Sequence, residues 1–440
     1  MRVKLAYIGG GSMFVPSVVN GCAEVLRTSP LPFEIELALY DVAPEKAQIM
    51  RAYADVVRRS WGVSLSANIA ATRAEALAGA DVVISSVWLG AEHERLERLL
   101  AHLGFEMPLE GPQVAAWALA CAPWSLGLAR EMQAVCPDAL FLTLMNPTDV
   151  IAGYVGEAAS IRAAGLCVEA DHLAGALAYY FGVPRESISL TVAGVNHDGW
   201  VLSLSVDGQD GYSLWRERWE EIERDPDFHP GTRGLRPIVE LTGHIKSSAY
   251  HNWPYQLEQT AEVQVRWEAW RGKRELQRRA LEEALATGQP IADPPGIHPE
   301  RSRLMYPLTG VTIGRLLQSI ATGWANRLFL QVPNRGAITN FPRESIVEVA
   351  TLVQGRHLSP LPVGELPDWL GGYTKLQAVQ RRLIMDYLRD GKLVSLKRAM
   401  AALPVFATIQ QYNRFAETLH AEYSADMANA PLARCQPSSP

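Results

Sequence analysis

No block rich in lysine or arginine interrupts this 440-residue chain, whose formal net charge is −6. It therefore lacks the electrostatic footprint of a nucleic-acid binder. Apolar stretches are broken by charge or glycine well before the ~20 residues that a membrane-spanning helix needs. Val3–Ile8 reads as a strand at the start of the chain, with no signal-peptide layout, so a cytoplasmic protein is expected. Cysteine is scarce: the five (Cys22, Cys121, Cys136, Cys167 and Cys435) are scattered and show no CxxC spacing. An odd, dispersed set argues against a disulfide framework and fits free or ligating thiols in a reducing compartment. Internal repeats and long low-complexity segments are lacking too. The remaining composition, 48% hydrophobic and 20% charged, is that of a soluble globular enzyme. The length suggests roughly two or three structural units.

The first half alternates strand and helix patterns. Val3–Gly9, Glu34–Asp41, Ser66–Ala71, Asp81–Val87 and Ala139–Leu144 read as strands. Pro16–Leu26, Pro44–Arg59, Glu92–Leu103 and Val114–Val135 read as helices. This rhythm predicts an α/β fold: an N-terminal Rossmann-like, doubly wound parallel sheet over residues 1–195. Gly165–Asn196 reads as one more strand-helix-strand unit, with Cys167 ending its strand and Ala170–Phe181 helical. Residues 196–430 read as a mixed α+β substrate-binding and oligomerisation domain, and 431–440 as a disordered tail. In that second part Leu257–Ala286 is one long charged helix, Gly288–Pro299 a proline-rich loop and Ser345–Val353 a strand. Tyr373–Leu403 and Thr408–Met427 read as helices.

Two features carry chemistry. After the first strand come Gly9, Gly10, Gly11, Ser12, Met13 and Phe14. Glycines there let backbone approach a pyrophosphate, and the following helix start offers N–H groups and a positive dipole end. Phe14 stands where GxGxxG has its third glycine. Asp41 ends the second strand, where an acid accepts from ribose hydroxyls and disfavours a 2′-phosphate, so NAD is expected rather than NADP. A plain glycine turn with a capping Asp41 is the bland alternative. The second feature is Asn146, Cys167 and Asn196-His197, all at predicted strand ends. A thiolate and an imidazole can hold a divalent cation with positions open for substrate oxygens. Taken singly, each also reads as an ordinary core residue.

As a set, several segments resemble glycoside hydrolase family 4. They are Ile8-Gly9-Gly10-Gly11-Ser12, Asn146-Pro147-Thr148, Gly165-Leu166-Cys167, Gly194-Val195-Asn196-His197, Val332 to Ile338 with Asn340, and Val363 to Pro367. The resemblance covers nearly the whole chain in order. It implies NAD and a divalent metal, with manganese expected, in place of the usual pair of carboxylates. It also implies cleavage of a glycoside by oxidation at C3, deprotonation at C2, elimination of the aglycone, addition of water and re-reduction. The family's substrates are α-glucosides, 6-phospho-glucosides and α-galacturonides. By position Cys167 and His197 match metal ligands, and Asn146, with Asn196, matches sugar contacts. Arg95 sits where a substrate-binding arginine is expected, with a solvated helix charge as the alternative. Tyr250 resembles the tyrosine base, and Tyr255 competes with it. A homodimer or homotetramer follows from the same resemblance.

Two departures stand out. The residue after the metal cysteine, usually Asp, His or Asn, is Val168, which cannot carry a proton. Glu169, Asp171 and His172 follow closely, and Asp171 with His172 can substitute at the start of the next helix, although Asp171 also suits a helix N-terminus as such. Gln113-Val114-Ala115-Ala116 replaces an expected glycine-rich stretch. Anomeric preference and the presence of a phosphate or carboxylate on the sugar therefore stay open; Lys246, Arg301, Arg303 and Arg335 are the cations that could meet such an anion. A net NAD-dependent sugar or hydroxy-acid dehydrogenase and a non-catalytic NAD or sugar sensor are the competing functions.

Overall fold

The computed structural model describes residues 1–104, 111–224, 235–247 and 261–428. Strands β1 (Arg2–Ile8), β2 (Glu34–Tyr40), β3 (Leu65–Ile69), β4 (Val82–Ser85), β5 (Leu140–Thr143) and β6 (Arg162–Gly165) run parallel in the order β3-β2-β1-β4-β5-β6. That order is the doubly wound dinucleotide-binding arrangement. Between them run helices α1 (Val15–Thr28), α2 (Pro44–Trp61), α3 (Arg73–Leu77), α4 (Gly90–His102), α5 (Gln113–Val135) and α6 (Thr148–Ala158). The central strands β4 and β5 are buried at every position because helices cover both faces, which is why they read as uninterrupted apolar runs.

Beyond β6 the chain continues as α7 (Glu169–Phe181), β7 (Ile188–Val195), β8 (Asp198–Val206), β9 (Gln209–Asp210), α8 (Gly211–Glu223), α9 (Leu235–Thr242), β10 (Ile245–Lys246), α10 (Ala261–Thr287) and α11 (Pro307–Thr322). It closes with β11 (Asn326–Pro333), β12 (Ile346–Gln354), β13 (His357–Pro360), α12 (Asp368–Asp390), α13 (Leu393–Ala401) and α14 (Ile409–Ala428). The later strands extend the same sheet as β6-β11-β12-β7-β8-β10, now antiparallel. Thus β7, expected from sequence to continue the parallel unit after β6, instead lies beyond two strands from the second half of the chain and pairs with both β12 and β8.

The register of this extension positions the site. Gly165 pairs with Gln331, Gln331 with Glu348, and Glu348 with Gly194. One row across the sheet therefore joins the end of β6 to the end of β7, although these strands run in opposite senses. Helix α7 packs on β7, so the turn from β6 into α7 is carried over that row.

Tyr373–Leu403, expected as one helix, is two: Gly391, at φ 63°, ends α12 before α13 begins. Ile384, Tyr387 and Leu388 of α12 are buried against α5, α6 and α14 rather than presented outward. Helix α1 crosses α11 at Gly21 and Gly310, where the two backbones touch. No helix among the described residues is long and apolar enough to cross a membrane. Tyr250, Tyr255, Cys435 and the tail 431–440 lie outside the described residues.

Candidate active site

The glycine loop is built as a tight cradle. Gly9 and Gly10 both donate from their backbone N–H to the Tyr40 carbonyl, at 2.9 and 2.8 Å, which ties the loop to the end of β2. Gly9 has φ 94°, and a Cβ there would meet the Ser86 carbonyl oxygen at 2.2 Å, so no other residue fits without moving the backbone that follows β4. Asp41 accepts from the Gly11 N–H at 2.8 Å and from the Ala43 N–H at 2.9 Å. It therefore holds the loop, as the bland reading had it, and each carboxylate oxygen keeps a second lone pair for a ribose hydroxyl. Phe14, in the third-glycine position, stacks on Tyr306 with ring centroids 5.4 Å apart.

Cys167 and His197 come together, with a third residue. One donor atom each from Cys167, Glu169 and His197 all lie within 4.8 Å of one another. Glu169 begins α7 and is only 6% exposed, and His197 forms the tight turn between β7 and β8 with φ 62°. A non-glycine residue in the left-handed region is unusual and marks a constrained position. Thiol, carboxylate and imidazole at this spacing suit one small divalent cation with coordination positions to spare. Burial first, then the charges of Glu169 and Glu348, push the Cys167 thiol well up. A cation would reverse that shift and displace the thiol proton.

The surroundings are buried and polar. Thr148, Gln331 and Glu348 form a hydrogen-bonded chain beneath the cluster, with Gln331 donating to Glu348 at 2.8 Å. Burial pushes the Glu348 carboxyl up to about 8, with Glu169, Asp149 and Asp171 adding to the rise and Gln331 opposing it. An ordinary glutamate titrates at about 4.3. The folded chain therefore holds a proton that the unfolded chain has released across that window, and stability falls as pH rises through it. Glu348→Gln in metal-stripped protein is expected to flatten the decline of Tm between about pH 5 and 8; a slope equal to wild type would refute this. Beside His197, Asp198 pairs with Lys246 at 3.2 Å, and both side chains are nearly inaccessible.

The other expected site residues are placed as follows. Asn146 follows β5 on the strand end next to Leu166 and Cys167, and its Oδ1 is buried with no hydrogen-bond partner among the described residues. Asn196, 2% exposed, has its Nδ2 in the same condition. Asp171 accepts from Thr312 at 2.6 Å and faces Arg185 at 3.6 Å. His172 pairs with Glu300 at 2.7 Å, and Glu300 pairs with Lys273 at 3.2 Å. His172 lies among Val168, Pro299, Tyr306 and Thr309, with no space between them for a water molecule. Tyr306 also meets the His172 ring edge-on at 5.9 Å, so it bridges the glycine loop and α7. Arg95 is not brought to the cluster. It binds Glu92, the Glu422 side chain and the Glu422 carbonyl, and lies over the Tyr423 ring, which holds α14 against α4.

Glu169, Glu348 and Tyr306 are the site residues that the sequence reading did not single out for these roles. Only Glu169 left a trace, as an acid two residues after Cys167.

The chain matches the family model "Family 4 glycosyl hydrolase" over residues 4–179 and "Family 4 glycosyl hydrolase C-terminal domain" over residues 192–405. It belongs to glycosyl hydrolase family 4. It is therefore a glycosidase, as the motif set implied. An alpha-galactosidase of Bacillus subtilis (strain 168) is 24% identical over 392 residues, 84% of this chain and 86% of the relative. Among solved structures, a 6-phospho-alpha-glucosidase from gut microorganisms, in complex with NAD and Mn2+, superposes with TM-score 0.77 and 16% identity. That superposition covers 97% of this chain and 99% of the other. The 6-phospho-beta glucosidase of Thermotoga maritima, solved with NAD and glucose-6-phosphate, gives TM-score 0.76 at 18% identity, covering 96% and 99%.

Proposed function

We propose that this family 4 enzyme cleaves a hexose or hexuronic acid glycoside by oxidation at C3, deprotonation at C2, elimination of the aglycone, addition of water and re-reduction at C3, using NAD and Mn2+. The observation that carries the proposal is the Cys167–Glu169–His197 cluster on the sheet that also bears the glycine loop. When bound, the dinucleotide supplies a reversible redox couple and the cation a Lewis acid for oxygens on which negative charge develops.

The chain's own groups divide the remaining work. Gly9 to Phe14 and Asp41 hold the dinucleotide. Cys167, Glu169 and His197 hold the cation. Asn146 and Asn196 offer their buried, unpartnered amide atoms to sugar hydroxyls. Tyr250 is the base of choice, with Tyr255 the competitor.

The proton for the leaving group comes from the Asp171–His172 step of α7. Of these two, His172 neighbours Val168, the residue after Cys167, with Glu300 paired to it to orient the imidazole, whereas Asp171 is engaged by Thr312 and Arg185. A general acid contributes about 10²–10⁴-fold. His172→Gln is therefore expected to impair alkyl glycosides by about 100-fold or more while sparing dinitrophenyl glycosides, whose leaving groups need no proton. Equal losses on both would remove His172 from the role and leave Asp171.

Three of the candidate cations for an anionic sugar are already engaged: Lys246 by Asp198, Arg303 by Glu283 and Arg301 by Tyr179. A panel of aryl glycosides, neutral, 6-phosphorylated and uronic, identifies the substrate. Turnover that needs both NAD+ and Mn2+ and exchanges the C2 hydrogen with solvent supports the proposal; stoichiometric NADH accumulation would replace it with a net dehydrogenase. A homodimer or homotetramer belongs to the same proposal. Trp369 and Leu376, exposed on α12, give apolar surface for it, and sedimentation measures it.

A further inference from the structure

The turn that bears His197 is gripped from beneath by a buried ion pair that brings together two distant parts of the chain. Asp149, in the first turn of α6, is 0% exposed, and Arg381, in the middle of α12, is 5% exposed on its side chain. Arg381 Nε lies 2.6 Å from Asp149 Oδ2. The Asn196 N–H donates to that same oxygen at 3.3 Å, and Arg381 Nη2 donates to the Asn196 carbonyl at 2.6 Å. Gln377, one turn earlier on α12, accepts from Arg381 Nη1 at 3.0 Å and fixes the guanidinium. Both peptide groups that flank Asn196 are thus held by one planar guanidinium and its carboxylate, a two-point grip that a lysine cannot reproduce.

We propose that Asp149 and Arg381 are positioning residues for His197: by fixing the peptide on either side of Asn196 they hold the left-handed turn that aims the imidazole at Cys167 and Glu169. Neither side chain is a member of the cluster itself, so the pair acts on it through the Asn196 peptide groups. A buried pair of this kind adds little to stability compared with a well-packed apolar substitute. Its retention makes sense if it orients a ligand, as groups behind metal ligands commonly do.

The inference rests on the reading of the cluster as a cation site, and the experiment separates the two. Mn2+ binding to the full chain is measured by calorimetry and electron paramagnetic resonance, NAD binding by fluorescence, and folding by circular dichroism. Wild type is expected to bind Mn2+, and Cys167→Ser to lose that binding; Mn2+ held equally by both would overturn the cluster reading itself. Arg381→Met is expected to weaken Mn2+ by about 10–100-fold with NAD affinity unchanged, and Arg381→Lys to restore part of the loss. Should Arg381→Met strand the Asp149 charge and fail to fold, the double variant Asp149→Leu/Arg381→Met removes the grip without leaving a lone charge. If that variant folds and binds Mn2+ as wild type does, while Cys167→Ser does not, the positioning role is wrong and the cluster reading stands.

Discussion

Glu169→Gln is expected to lose Mn2+-dependent turnover by more than the about 10–100-fold that changes behind a metal site cost. Glu169 is the only carboxylate in the three-residue cluster, and His197 Nε2 lies 3.9 Å from its Oε1. The other two donors are an imidazole, neutral when it ligates, and a thiol that burial pushes well up. Without the carboxylate, the cluster itself offers a divalent cation one negative charge at most, and only after displacing the thiol proton. Glutamine keeps the shape and one oxygen but removes the charge, so the fold should hold while affinity falls. Titrating Mn2+ against activity and, independently, against the bound-ion resonance spectrum distinguishes the cases. A ligand role predicts parallel loss in both, partly recovered at high Mn2+. Wild-type Mn2+ affinity with lost turnover would make Glu169 a proton carrier instead of a ligand.

How far the sequence revealed this site depends on which interactions are local. The glycine loop was legible because its geometry is set within one strand-turn-helix unit, and the tie from Gly11 to Asp41 spans a single βαβ step. Cys167 and His197 were legible as residue types at strand ends, although the reason they meet was different. A parallel continuation would have placed β7 beside β6; the structure instead inserts β11 and β12, from more than 130 residues later, and uses the row Gly165, Gln331, Glu348, Gly194 to level the two ends. No periodicity within residues 162–197 encodes that insertion. Glu169 has the signature of an ordinary acid in a first helical turn. Arg381 has that of a charged residue on an amphipathic helix, and only the fold shows that it reaches Asn196. Arg95 illustrates the converse: its position along the chain suggested sugar binding, while Glu422 and Tyr423, more than 320 residues away, claim its guanidinium. α11 was missed because its Gly310, Val311, Thr312, Ile313 and Gly314 have weak helix propensity, and packing on α1 overrides it.

That same packing sets up an opposition between propensity and space. In a helix interior, alanine is favoured over glycine by about 1 kcal/mol. At Gly310, however, an added Cβ would lie 1.9 Å from the Ser17 carbonyl oxygen and 2.5 Å from its carbon, both backbone atoms of α1. Backbone cannot rotate aside as a side chain can, so α1 and α11 must part along their shared face. Overpacking of a core costs about 1–3 kcal/mol where side chains can adjust, and more where they cannot. Gly310→Ala is therefore expected to destabilise by about 3 kcal/mol or more despite its better propensity. Gly127→Ala is the matched control: it lies inside α5 with nothing within 4 Å of the new Cβ, and should be neutral or slightly stabilising. Urea unfolding of the two variants against wild type decides the matter, and equal stability of Gly310→Ala and Gly127→Ala would refute the close crossing. The loss should also reach the cofactor site. Helix α1 begins right after Phe14, α11 begins right after Tyr306, and the Phe14–Tyr306 stack spans the two starts. Parting the helices pulls that stack apart, so the folded fraction of Gly310→Ala should bind NAD more weakly than Gly127→Ala does.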